Sequence, residues 1–104
     1  MDTISLQYTG FDWDHGNKEK SHKKHGITYK EAEEAFFCNP VIFVDERHST
    51  VMERRYVLFG ESRMGKKLFL SFTLRSEKVR IISARPMSRK EREWYEAEKE
   101  KSRF

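Results

Sequence analysis

Lys78-Val79-Arg80-Ile81-Ile82-Ser83-Ala84-Arg85, followed at once by Pro86-Met87-Ser88-Arg89-Lys90-Glu91, anchors this sequence. The first eight residues predict a strand. Val79, Ile81 and Ile82 are β-branched, Ser83 and Ala84 are small, and arginines stand among them. Pro86 lacks a ladder donor and disfavours a helical conformation at Arg85, so the strand ends there. Ser88 with Glu91 three residues on forms a capping box, the start of a helix predicted from Arg89 to about Lys101. Strand, proline break and capped helix should place Arg80, Arg85 and the helix start close together.

Upstream, Lys67 to Leu74 is the clearest strand, with Leu68, Leu70, Phe72 and Leu74 on one face and Lys67, Phe69, Ser71 and Thr73 on the other. Ser76-Glu77 reads as the hairpin into the anchoring strand. Ser62 to Lys66 is a turn, Tyr56 to Gly60 a strand, Asp45 to Glu53 a polar loop, and Val41 to Val44 a short buried strand. Thr28 and Glu31 make a second capping box, opening a helix predicted over Tyr29 to Phe37 and stopped by Asn39-Pro40. Residues His15 to His25 are either a solvated loop or a helix with Lys18, Ser21, His22 and His25 on one face, Asp14 capping its start and Gly26 its end. Thr3 to Tyr8 alternates Ile4, Leu6 and Tyr8 against polar residues and predicts a half-buried strand. The order β-α-α-β-β-β-β-α implies an α+β class: a mostly antiparallel β-sheet with two N-terminal helices and one C-terminal helix, packed on one face.

Composition narrows the function classes. With 104 residues the chain suits one domain spanning residues 1–104. A charged fraction of 37% and mean hydropathy of −0.88 coexist with eight Phe, four Tyr and two Trp, which favours a folded domain over disorder. The net charge of +4 favours a polyanionic partner, nucleic acid first. The basic groups cluster twice: five lysines against Glu19 between His15 and Lys30, and ten Lys or Arg against six Glu between Arg75 and Phe104. One cysteine, Cys38, cannot form an intrachain disulfide, and no apolar run approaches the ~20 residues of a bilayer span. A cytoplasmic location with no membrane role is the expectation. His15, His22, His25 and Cys38 could be imagined around zinc, and His22 and His25 lie within ligand reach of each other on a helix, but the other two lack a partner at close spacing and the lysine-rich surroundings repel a dication, so no metal or cofactor is expected. No Gly-rich phosphate loop or Cys-x-x-Cys pair occurs.

In family order, Trp13-Asp14, Lys18, Lys24-His25-Gly26-Ile27, Glu31, Ala32, Ala35, Glu53-Arg54-Arg55-Tyr56, Gly60, Arg80-Ile81-Ile82-Ser83-Ala84-Arg85, Glu91 and Tyr95 resemble the BrnT toxins of bacterial type II toxin–antitoxin systems, whose fold is similar to RelE-type ribonucleases. Ser21 stands where that family usually has Asn, Tyr29 where it usually has Phe, and the segment before Phe11 is longer than usual. The resemblance implies a metal-independent endoribonuclease that acts on cellular RNA. It also implies a partner: a BrnA-like antitoxin with a ribbon-helix-helix part, in a toxin–antitoxin hetero-oligomer.

Metal-free RNA cleavage needs a base for the 2′-hydroxyl, cations for the phosphorane and an acid for the leaving 5′-oxygen. Arg80, Arg85 and Arg55 are the first candidates for charge stabilisation, because guanidinium forks match phosphate oxygens and stay charged. Pairing with glutamates, Glu91 especially, is the competing reading. His25 is the titratable candidate, with helix-end capping as its alternative. Lys24 could grip phosphate. Glu91 could act as a base, though its capping role already explains it. Lys18, Arg75 and Tyr95 are candidate RNA contacts, with packing against the sheet the rival reading for Tyr95. The other function class that fits is a non-catalytic basic nucleic-acid- or protein-binding module, which would bind RNA with a steep salt dependence and cut nothing. A structural partner domain that offers a sheet edge to another chain is a third reading.

Overall fold

The structure is a computed structural model that describes residues 3–13, 18–19 and 23–101. Its frame is an antiparallel meander of four strands: β2 (Val41–Val44), β3 (Arg55–Glu61), β4 (Lys67–Arg75) and β5 (Lys78–Pro86). A two-residue strand, β1 (Gly10–Phe11), adds to β5 in parallel, so the sheet order is β1-β5-β4-β3-β2. Residues 18–19 and 23–25 are helical, α1 runs Tyr29–Glu34 and α2 runs Arg89–Lys101. The predicted α+β class, with a mostly antiparallel sheet, therefore holds.

One sheet face is the main core. Leu58, Leu68, Leu70 and Phe72 are fully buried there, each stabilising by roughly 1.5–3 kcal/mol. Val79, Ile81 and Ala84 complete the face from β5. Helix α1 packs on it through Ala32, and the turn that follows adds Ala35 and Phe36, with the Phe36 ring edge-on to Phe72 at 5.0 Å. At Gly60 the backbones meet: an added Cβ would lie 2.4 Å from the Ala35 carbonyl oxygen. The capping box that opens α1 is present, with Thr28 Oγ1 accepting from Glu31 N (3.1 Å) and Thr28 N donating to Glu31 Oε1 (3.0 Å).

Three sequence expectations need correction. The helices do not share one face. α2 lies on the opposite side, where Trp94 meets Phe59 at 4.9 Å and Phe43 at 5.4 Å. α1 ends at Glu34 instead of Phe37, because Asn39 takes a left-handed φ of 54° ahead of Pro40 and the intervening residues tighten into turns. Thr3 to Tyr8 is not a regular strand. Ile4 bridges Ile42 on β2, while Gly10 and Phe11 pair with β5, so this segment crosses the core face from one sheet edge to the other. A chain running across strands cannot form a ladder with them. Its alternation survives as burial alone, with Ile4, Leu6 and Tyr8 packed on the core and Thr3, Ser5 and Gln7 exposed.

The expectations placed on Asp14, His15, Ser21 and His22 lie outside the described residues. Among the described residues no helix is long and apolar enough to cross a membrane.

Candidate active site

The face opposite the main core divides into two halves. α2 covers one half. Beneath it, Glu61 is 9% exposed and accepts from Lys67, from Asn39 Nδ2 (3.0 Å), from Lys99 Nζ (3.1 Å) and from the Tyr95 hydroxyl (3.2 Å). Burial pushes the Glu61 carboxyl upward, but the donors from Lys67, Asn39 and Lys99 outweigh it and hold the group at about 2. An apolar cleft of about 450 Å³, lined by Phe43, Val57, Phe59 and Trp94, marks the border between the halves.

The other half carries the charge. Side chains in a cross-strand row share a face, and the register sets Arg55, Thr73 and Arg80 side by side on β3, β4 and β5. Two strand spacings put the Arg55 and Arg80 backbones about 10 Å apart. The Asp45 amide donates to the Arg55 carbonyl (2.8 Å), which continues the row onto the end of β2. At the far side Arg80 pairs with Asp12, Nη1 to Oδ2, at 3.7 Å. Thr73 is buried between the two arginines and donates its hydroxyl to the Arg54 carbonyl (2.9 Å). One row further out, Arg75 and Lys78 are paired in register, and Arg75 reaches Glu53 at 3.3 Å. Arg55, Arg75, Lys78 and Arg80 therefore share one end of one face.

The turn after β2 holds Arg55 in place. Ser49 Oγ accepts from Arg55 N (2.9 Å) and donates to the Asp45 carbonyl (2.8 Å). In the same turn His48 Nδ1 lies 2.8 Å from Asp45 Oδ2.

Such a pairing of cations with an imidazole–carboxylate contact suits work on a phosphodiester. Over residues 13–91 the chain matches the family described as the ribonuclease toxin, BrnT, of type II toxin-antitoxin systems. This protein belongs to the BrnT toxin family. No curated protein matches the chain.

Set on the BrnT chain, the candidate residues separate. Arg55, Arg80 and Arg75 share the open end of the face. Arg85 does not join them. It faces the same side only because a β-bulge at Ile82 offsets the odd spacing from Arg80, Ser71 pairing with Ser83 and Phe72 with Ile81. It then lies two rows away, about 14 Å along the strand. There it forks onto Glu91 at 2.8 and 2.9 Å and stacks over the Phe69 ring at 4.2 Å. Glu91 is held below the usual carboxylate range, chiefly by Arg85, and also closes the Ser88 capping box, which ill suits it to take a proton. Tyr95 is fully buried and donates to the Asn39 carbonyl (2.7 Å), so it has no ring face for a base. Burial first, then the Glu61 charge, push its hydroxyl well above the usual tyrosine range. Lys24 and His25 are exposed and, among the described residues, make no hydrogen bond or ion pair with the row. Lys18 sits over the Tyr29 ring at 4.8 Å. Of Arg80, Arg85, Arg55 and Lys24, expected from sequence to converge, Arg55 and Arg80 share a cross-strand row, where Arg80 pairs with Asp12, while Arg85 is consumed in fastening α2 to the sheet. Sequence reading missed Asp12, Asp45, His48, Ser49 and Thr73. Asp45, His48 and Ser49 lie in a polar loop with no motif, and the signal available was the Asp-x-x-His spacing of one turn.

Proposed function

We propose that this protein is a metal-independent endoribonuclease that cuts cellular RNA in the cytoplasm, acts as a single domain over residues 1–104, and is neutralised by a BrnA-like antitoxin in a hetero-oligomer. The observation that carries this reading is the row of Asp45, Arg55, Thr73 and Arg80 across three strands and a strand end. Two guanidinium groups on a rigid sheet can hold one phosphate between them and stabilise the charge that grows on the phosphorane. Arg55 and Arg80 take that role in this reading. Arg75, Lys18, Lys24 and His25 contact the RNA backbone on either side. Arg85, Glu91 and Tyr95 shape the fold and do not touch substrate.

The test is purified protein incubated with RNA in EDTA. Wild type should cut, and Arg55→Ala should cut about 10²-fold more slowly, the usual loss for one transition-state donor. Expression alone should arrest growth, and co-expression with a BrnA-like antitoxin should restore both growth and RNA integrity. RNA that is bound with a steep salt dependence but stays intact at high protein refutes the nuclease reading in favour of a binding module.

A further inference from the structure

Histidine and carboxylate pair only once among the described residues, at the turn that leaves β2. His48 Nδ1 stands 2.8 Å from Asp45 Oδ2. A carboxylate accepts, so Nδ1 donates to it, and in the neutral ring this tautomer leaves the Nε2 lone pair facing away from the partner. The His48 side chain is 63% exposed while that of Asp45 is 17% exposed, so the ring reaches solvent from a sheltered anchor. The anchor is rigid. Asp45 sits in the Arg55 row through its amide, and Ser49 ties the turn to both the Asp45 carbonyl and the Arg55 amide. One turn therefore holds both the carboxylate that orients the imidazole and the backbone of Arg55, whereas His25 has no such orienting partner among the described residues.

We infer that His48, oriented by Asp45, is the general base of this site, acting on the 2′-hydroxyl of the ribose next to the phosphate held by Arg55 and Arg80. The inference rests on the ribonuclease reading above. Nε2 takes the 2′-hydroxyl proton as O2′ bonds to phosphorus. The P–O5′ bond breaks, and the leaving oxygen takes a proton from water. The imidazolium returns its proton to the hydroxide so formed. The products are a 2′,3′-cyclic phosphate end and a 5′-hydroxyl end. Asp45 favours the tautomer that leaves Nε2 free and stabilises the imidazolium that forms.

The experiment measures cleavage of an unstructured RNA oligonucleotide in EDTA, and binding of its 2′-O-methyl analogue, for wild type and three variants. His48→Asn keeps an amide donor to Asp45 and removes Nε2. It should bind the analogue within about threefold of wild type and cut at least about 10²-fold more slowly, the scale of general base catalysis. His48→Ala should be equally slow and should recover rate when imidazole is added, which a structural role for the ring does not predict. Asp45→Asn should lower the rate with little change in KM. Wild type that cuts while His48→Asn cuts equally fast overturns the base assignment alone, as does a His48→Ala defect that imidazole leaves untouched. Wild type that cuts no RNA overturns the ribonuclease reading and this inference together.

Discussion

Replacing Glu61 by Gln should unfasten α2 from the sheet, and the size of the effect follows from the carboxyl's environment. The group sits at about 2 in the folded protein against an ordinary value of 4.5. Folding therefore favours its ionised form by about 3 kcal/mol at pH 7. The sign is that of a depressed carboxylate: the unfolded chain binds more protons between pH 2 and 4.5, so the contribution is complete above about pH 5 and is lost as pH falls through 2. At pH 3 about half of it should remain. The Glu61→Gln side chain keeps the shape and a carbonyl acceptor but leaves the Lys67 and Lys99 ammonium groups, 25% and 17% exposed, with only Glu96 between them. For a domain whose total stability is on the order of 5–15 kcal/mol this is a large fraction. Urea unfolding followed by tryptophan fluorescence should show the midpoint lowered by about 2 M at pH 7, for a slope of about 1.5 kcal/mol/M. The gap between wild type and variant should halve by pH 3. A gap that stays constant from pH 7 to pH 3, or a variant as stable as wild type at neutrality, refutes the argument that this buried charge is matched by its donors.

Gly60→Ala should destabilise by about 1–3 kcal/mol in the same assay, because the new Cβ meets the Ala35 carbonyl, a backbone atom that cannot swing away. Glu77→Gly should raise stability by up to about 1 kcal/mol, read as a higher Tm, since Glu77 holds φ at 66° in the β4–β5 hairpin. Tyr95→Phe should cost about 1 kcal/mol from the lost hydroxyl bonds and leave RNA affinity at the wild-type value by fluorescence anisotropy. Arg75→Ala should weaken RNA binding and flatten the salt dependence by about 0.7 in log–log slope, the share of one phosphate contact on a single strand.

The family and the element order were legible in the sequence because their signals are local. Ser88 and Glu91, or Thr28 and Glu31, need only three residues of helix to find each other, and both boxes formed. The alternation of Lys67 to Leu74 likewise needs only a pleat, and its two faces are those of the sheet. Local signals misled where tertiary geometry overrode them. Ile4, Leu6 and Tyr8 alternate like a strand but lie across the sheet. Arg80 and Arg85, five positions apart, share a face only because Ile82 bulges out of the ladder.

The residue pattern by itself determined the strands β2 to β5, the caps, the basic character and the family. Tertiary structure alone decided which arginines share a cross-strand row and which is consumed by Glu91. It also seated Glu61 among two lysines and a buried tyrosine, and stood His48 on Asp45 beside Arg55. The physical reason is range. A cap or a pleat is a contact between neighbours along the chain, whereas a site is made by strands whose register and bulges are set by the packing of a whole core.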